Sequence, residues 1–227
     1  MSAIMSDDTP KREVLAVDVG GSHVKAVVSG DALEPRRFES GSALTPQELV
    51  RGIARLTGDW SYDAVSIGIP AVVRDSRVVS EPVNLGKGWI GFDFEAAFGK
   101  PTKVVNDAAM QALGSYDGGK MLFLGLGTGL GSTMVVEGIV VSMELGHLPF
   151  RKATFEDYVG ERGRKRLGKK DWQKAVAETI EALMAALEPE YIVLGGGNAK
   201  KLEQLPANVR LGRNDNAFRG AFRLWNV

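Results

Sequence analysis

This 227-residue sequence predicts an α/β fold built in two similar halves. Three observations carry that expectation. Short apolar runs that read as buried strands alternate with segments of helical spacing, which gives the α/β class with mixed sheets. One plan (strand, Gly-rich turn, strand) occurs twice, in LAVDVGGSHVKAVV and in FLGLGTGLGSTMVV. Apolar residues make up 44% and charged residues 25%, as in packed globular proteins. The length suffices for one large domain or two small ones sharing a cleft.

Val14 to Val19 and Val24 to Val28 are apolar runs split by Gly20, Gly21 and Ser22, which reads as a hairpin buried on both faces. Leu49, Ile53 and Leu56 share one side of a helix expected over 44–56. Ala64 to Ile69 is a buried strand ended by Pro70. A short helix is expected over 93–98 with Gly99 at its end. Thr102 to Val105 reads as a strand, and Ala108 to Leu113 as a helix closed by Gly114. Met121 to Leu126 is a strand, followed by Gly127, Thr128, Gly129 and Gly131, and a strand resumes over Thr133 to Val136. Trp172, Val176, Ile180, Leu183 and Leu187 recur at helical steps until Glu188-Pro189 stops them. Tyr191 to Leu194 is a strand that runs into Gly195, Gly196 and Gly197, and a last helix is expected over 216–224. The first set of elements ends near residues 106–120. The expected division is a flexible tail at 1–12, an N-terminal α/β domain at 13–112 and a C-terminal α/β domain at 113–227.

Composition excludes several classes of function. Lys plus Arg and Asp plus Glu number 28 each, so no net charge draws the chain to nucleic acid or an anionic membrane. The absence of cysteine excludes disulfides, Cys-based zinc sites and a thiol nucleophile. No apolar run approaches the roughly 18 residues of a membrane helix, and the first twelve residues lack the apolar stretch of a signal peptide. A cytoplasmic enzyme without nucleic-acid or membrane partners is the expectation.

Three Gly-rich turns follow apolar strands, at 18–22, 127–131 and 195–197. Glycine lets backbone approach a ligand closely, and successive N–H groups there form a nest for anionic oxygens. None of the three is a P-loop, and strands flank the first two where a dinucleotide fingerprint needs a strand and a helix. Together they suggest a phosphate clamp, with plain tight turns as the alternative. Asp18 ends a buried strand beside the first turn, where a carboxylate holds Mg²⁺ directly or through water, or bonds turn amides. Lys25 follows on the next strand, facing either solvent or phosphate. Asn106-Asp107 stands between a strand and a helix. A helix N-cap is one reading, and a base close to an attacking hydroxyl is the other. Glu144 and His147, in MELGHLPF, suit hydrogen bonds to sugar hydroxyls. With two histidines and no cysteine, no structural zinc is expected. The basic run RGRKRLGKK at 162–170 is either a solvated face or a track for a polyanionic phosphoryl donor.

These residues resemble the ROK sugar kinases, and among them most closely the polyphosphate glucokinases, over nearly the whole chain from Val14. DVGGSHVK resembles the family's first phosphate motif and LGTGLGS its second. VNDA resembles the segment holding the catalytic Asp, ELGH the sugar-binding E-x-G-H element, and IVLGGG the nucleotide-side glycines. NLGKGWIGFD is similar to a stretch of the polyphosphate-using branch.

The resemblance implies an actin-like, hexokinase-like (ribonuclease H-like) fold of two α/β domains about a cleft. It implies transfer of a phosphoryl group from polyphosphate or ATP to the 6-hydroxyl of glucose, with Asp107 as base. Asn84, Asn106, Glu144 and His147 would hold the sugar. Asp18, Gly20, Gly21, Ser22, Lys25, Gly127, Thr128 and Gly129 would bind the donor's phosphates and Mg²⁺, with Gly195, Gly196 and Gly197 along the donor. It leaves the choice of donor and the formation of a homodimer open. Three departures stand out: no Cys-rich zinc motif follows ELGH, Ser22 replaces the usual Thr, and Pro70-Ala71 stands where Pro-Gly is common. The methyl of Ala71 narrows the sugar pocket, so another hexose (mannose or an N-acetylhexosamine) is the alternative substrate. A non-catalytic sugar sensor is the alternative function. About a dozen residues before the first strand are too few for the helix-turn-helix of ROK repressors.

Overall fold

The structure, a computed structural model, describes residues 12–30, 34–213 and 215–225. Of the expected tail at 1–12, only Arg12 falls within the described residues.

The first sheet begins with the hairpin β1 (Val14–Val19) and β2 (His23–Val28), continued by β3 (Arg36–Glu39). After α1 (Pro46–Leu56) the chain enters β4 (Ala64–Ile69), parallel to β1. A small hairpin, β5 (Val73–Arg74) and β6 (Arg77–Val78), and α2 (Phe94–Phe98) lead to β7 (Thr102–Asn106), parallel to β4. The sheet order is β3-β2-β1-β4-β7.

Helix α3 (Asp107–Ser115) carries the chain to a second sheet of the same plan. Strands β8 (Lys120–Leu126), β9 (Leu130–Val136) and β10 (Ile139–Met143) form an antiparallel meander. The hairpin β11 (Pro149–Phe150) and β12 (Ala153–Thr154), α4 (Phe155–Val159) and α5 (Glu161–Leu187) precede β13 (Tyr191–Gly195), which is parallel to β8. Strand β14 (Val209–Leu211) pairs parallel with β13, and α6 (Asn216–Arg223) follows. The order β10-β9-β8-β13-β14 repeats that of the first sheet, so the repeated strand-turn-strand plan marks two copies of one topology.

Strand alternation sorts the core. Leu15, Val17 and Ile67 face α1, α2 and Trp89 on the outer side of the first sheet. Leu122, Leu124 and Ile192 face Trp172 and Ile180 of α5 on the outer side of the second. Between the sheets lie α3 and α6. Ala16 meets Met110, Phe218 and Ala221, and Met121 and Phe123 meet Ala108 and Ala112. The last helix therefore returns to pack on the first sheet.

Local chemistry sets most helix ends. Thr45 and Glu48 form a capping box at α1, and Thr154 and Asp157 form another at α4. Asp93 caps α2, and Gly99 ends it at φ 63°.

Two expectations need correction, and one open segment gains a structure. Gly114 does not close α3 but lies inside it, because α6 crosses there and leaves no room for a side chain: a Cβ would collide with the Asn216 carbonyl. The basic run at 162–170, to which the sequence assigns no element, opens α5 and spans its break at Gly168 (φ 74°, ψ 172°). Strand β9 starts at Leu130, ahead of the expected Thr133.

Candidate active site

Strand β7 delivers Asn106 and Asp107 to the carboxyl edge of the first sheet. Asn106 is the N-cap of α3, its Oδ1 accepting from the N–H groups of Ala108 (2.9 Å) and Ala109 (3.2 Å). Its Nδ2 donates to the Ala71 carbonyl at 3.1 Å. Three bonds thus fix Asn106, leaving one amide hydrogen for a ligand. Asp107 is the first residue of the helix. Gly68 of β4 clears its place: a Cβ at Gly68 would stand 3.4 Å from the Asp107 Cα and collide with Met110.

Asp18 is two residues beyond Ala16 on β1 and shares its face, toward α3. Burial raises its pKa, and Lys25 opposes the shift. Lys25 stands directly across the β1–β2 ladder from Asp18, so both side chains lie on one face of the hairpin. The Asp107 carboxyl is pushed up to about 6, first by burial, then by the charge of Asp18, with Glu144 adding to it. The Ala108 N–H and its own N–H act the other way. Three carboxylates from three elements, Asp18, Asp107 and Glu144, therefore share one electrostatic neighbourhood.

The first glycine turn is braced from β3. Ser40 donates its Oγ to the Gly20 carbonyl (2.6 Å) and its N–H to the Ser22 carbonyl (3.0 Å). Gly21 and Ser22 are exposed, with Asn84 against Gly21. The second and third turns form one unit. The Gly127 carbonyl accepts from Asn198 Nδ2 (3.2 Å) and from the Glu161 N–H (3.0 Å), which also reaches the Thr128 carbonyl. Asn198 donates its own N–H to Leu126. Gly196 needs to be glycine: its φ is 81°, and a Cβ would collide with the Leu126 carbonyl.

Glu144 precedes a single helical turn, Leu145–His147, and His147 ends it. Buried Ser132 pins that turn, donating to the Met143 carbonyl and accepting from the Leu145 N–H. Gly146 fits because its missing Cβ would lie 2.8 Å from the Leu130 carbonyl. His147 Nε2 stands 4.0 Å from Glu156 Oε1. Glu156, on α4, also fills the space beside Gly129. Sequence reading did not single out Glu156, Ser40 or Asn198. Only Glu156 carried a nearby signal, the capping pattern from Thr154 to Asp157.

Glycine-rich turns, a half-buried carboxylate at a helix start and an E-x-G-H turn in one fold match a known pattern. The sequence pattern of the ROK family matches residues 14–165, more than half of the chain. The chain belongs to the ROK family. This ROK protein is 25% identical over 221 residues to a polyphosphate glucokinase of Mycobacterium tuberculosis, covering 86% of this chain and 82% of that one. It is 26% identical over 244 residues to the bifunctional enzyme NanE/NanK of Brucella melitensis, covering 86% of this chain but 47% of that relative, so it spans about half the relative's length. The crystal structure of an inorganic polyphosphate/ATP-glucomannokinase from Arthrobacter sp. strain KM shares its fold at TM-score 0.81 and 23% identity, covering 94% and 98% of the two chains. The fold is thus the α/β, two-sheet, actin-like fold that the motifs imply.

Among the described residues, no three His, Asp or Glu side chains converge as a ready-made metal cage. Mg²⁺ does not require one, since it commonly takes one or two carboxylates, substrate phosphates and water. Asp18, half-buried beside a glycine-rich turn and near enough to Asp107 to raise its pKa, fits that mode. In this ROK protein Ala71 is buried, and its carbonyl accepts from Asn106, the neighbour of Asp107 in sequence.

Proposed function

We propose that this protein transfers the terminal phosphoryl group of polyphosphate or ATP to the 6-hydroxyl of glucose, with Asp107 as general base. The observation that carries the reading is the Asp107 carboxyl, fixed at the start of α3 and raised to about 6 by burial and by Asp18. A base of that pKa is ionised at neutral pH yet basic enough to take a proton as it is released. In the reaction the sugar O6–H proton passes to Asp107, O6 bonds the terminal phosphorus, and the bond from phosphorus to the bridging oxygen breaks. Its electron pair leaves on the shortened donor. Such transfer relies on positioning and charge stabilisation more than on covalent help from the protein.

Asn84, Asn106, Glu144 and His147 hold the sugar in this reading, and Glu156 joins them through its place beside His147 and Gly129. Gly20, Gly21, Ser22, Lys25, Gly127, Thr128 and Gly129 bind the donor's phosphates, with Gly195, Gly196 and Gly197 along it. Asp18 holds Mg²⁺, directly or through water, and the ion neutralises phosphate charge when bound. Residues 13–112 and 113–227 act as two domains that close over the substrates and exclude water. No helix among the described residues is long and apolar enough to cross a membrane, which is compatible with a cytoplasmic enzyme.

Ala71 favours a second reading of the same site, in which the hexose is mannose or an N-acetylhexosamine. Glucose, mannose and N-acetylmannosamine, each offered with Mg²⁺ and either ATP or long-chain polyphosphate, separate the two. Asp107→Asn is the control. Turnover in that variant equal to the unmodified protein's would remove Asp107 from its role.

A further inference from the structure

The first glycine turn, at 20–22, and the stretch 84–86 lie on separate lengths of chain, and one short loop, residues 40–45, touches both. Ser40 opens that loop directly after β3. Its Oγ donates to the Gly20 carbonyl (2.6 Å) and its N–H to the Ser22 carbonyl (3.0 Å). The loop then turns back on itself, the Leu44 N–H donating to the Gly41 carbonyl. At its far end the Leu44 carbonyl accepts from the Gly86 N–H at 3.0 Å. Leu44 and Leu85 are both buried in the core of the first half. In the same stretch Asn84 stands against the first turn, its Cβ 3.9 Å from the place a Gly21 Cβ would take. Turn, loop and stretch therefore close a ring.

The ring fixes backbone direction. A trans peptide unit points its C=O and the following N–H in opposite directions. Ser40 draws the Gly20 carbonyl toward β3, so the Gly21 N–H of the same unit points away from β3. Gly21 is exposed and has no side chain to hold its peptide plane, and the two Ser40 bonds supply that restraint. The far end of the ring is equally tight. A Cβ on Gly86 would lie 2.8 Å from the Leu44 carbonyl oxygen and 3.0 Å from its carbon. Both are backbone atoms, so a shift of the stretch 84–86 moves the loop. Thr45, the last residue of the loop, is locked into the capping box of α1, which leaves the loop little freedom to absorb that shift.

We propose that Ser40 is a positioning residue that aims the Gly21 N–H at the donor's phosphates, and that loop 40–45 couples this turn to Asn84, so that sugar and donor each tighten the binding of the other. The proposal rests on the kinase reading above, which puts the sugar at Asn84 and the donor at Gly21, and extends it from the two sites to the link between them. Binding at either end holds still a ring that the other substrate also needs held. Such coupling is reciprocal, with one factor in both directions.

The test uses Ser40→Ala, Ser40→Thr and Gly86→Ala. Calorimetry gives the Kd of glucose (mannose where glucose does not bind) and of Mg²⁺ with ATP or long-chain polyphosphate. Each is titrated alone and then with the other bound, in an Asp107→Asn background that stops transfer. In that background each substrate lowers the Kd of the other about tenfold. Ser40→Ala raises the donor Kd about tenfold, leaves the Kd of sugar alone within about twofold, and cuts the mutual effect to less than about twofold. Ser40→Thr, which keeps the hydroxyl, restores the donor Kd to within about threefold. Gly86→Ala, a change on the sugar side, weakens donor binding by about threefold or more. An unchanged donor Kd in Ser40→Ala, equal losses in Ser40→Ala and Ser40→Thr, or a mutual effect that survives Ser40→Ala would overturn the proposal. Sugar and donor that bind without any mutual effect would overturn the coupling and leave the kinase reading standing. NMR relaxation of the Gly21 amide in the free protein reads the brace without a ligand: its order parameter falls in Ser40→Ala and recovers in Ser40→Thr. If neither sugar nor donor binds, the kinase reading fails, and the Gly21 amide still decides whether Ser40 holds the turn.

Discussion

Asp18 and Asp107 stand at the ends of β1 and β7, facing one another across the carboxyl edge of the first sheet, and the charge on Asp18 helps hold the proton on Asp107. This relationship makes Asp107 a base tuned to neutral pH. The expected pH profile of kcat/KM for sugar rises with pH through about 6 as Asp107 ionises, then levels. A profile flat from pH 5 to 8 would assign the base elsewhere.

The same shift sets a stability signature. Because the folded-state pKa of Asp107 lies above its ordinary 3.8, the folded protein holds that proton more tightly than the unfolded chain. The resulting stabilisation is present below pH about 3.8 and is lost as pH rises through about 6. At pH 8 the native protein carries a buried, repelled carboxylate. Asp107→Asn removes it at nearly constant shape. The variant is expected to lose turnover by about 10²-fold to 10⁴-fold and yet to melt higher than the native protein at pH 8, by up to about 3 kcal/mol. Thermal melts at pH 5 and pH 8 check this, since the gain shrinks at the lower pH.

Asp18→Asn isolates the electrostatic link. With that charge gone, the Asp107 pKa falls toward its ordinary value, while burial still holds it up. The measurement is NMR titration of the Asp107 carboxyl in the free protein, which needs no turnover. An unchanged pKa would mean that the two carboxylates do not sense each other.

Much of this site was legible in sequence because it is carried by short, local signals. The three glycine turns, the Asn106–Asp107 step and the E-x-G-H turn each occupy a few consecutive residues. Strands β1, β4, β8 and β13 were equally plain, as runs of branched or large apolar residues buried on both faces. What escaped depends on distant partners. Strand β3 reads Arg-Arg-Phe-Glu, and its half-exposed pattern resembles a loop until β2 supplies its hydrogen bonds. The opening of α5, residues 161–170, holds Gly163, Gly168 and six cations, a composition that hides a helix. Glu156 gains meaning only where α4 folds it against His147 and Gly129. Asn198 gains meaning only where its amide meets Gly127, 71 residues away in sequence.

Glu156 therefore offers a test that sequence alone did not suggest. Glu156→Gln keeps the shape beside Gly129 and removes a charge-assisted acceptor. In the proposed function it raises the KM for sugar about tenfold and leaves the KM for the donor within twofold. A loss confined to the donor would place Glu156 with the phosphates.

The Gly114 position tests how the two sheets are joined. Helices α3 and α6 cross there so closely that a Cβ on Gly114 would strike the Asn216 carbonyl, and one on Gly220 would strike the Met110 carbonyl. Both carbonyls are backbone, so no side chain can rotate away to make room. Gly→Ala in a helix interior ordinarily stabilises by about 1 kcal/mol. Here the overlap outweighs that gain, and Gly114→Ala or Gly220→Ala is expected to destabilise by about 3 kcal/mol or more. Chemical denaturation reads the effect as a lower midpoint, and a neutral or stabilising result would mean that α6 does not pack on α3 as described. The consequence reaches the site, because α3 begins at Asp107 and α6 packs against β1, the strand that carries Asp18. Forcing the crossing apart shifts one carboxylate relative to the other, so the surviving folded fraction of either variant should also show a lowered Asp107 pKa.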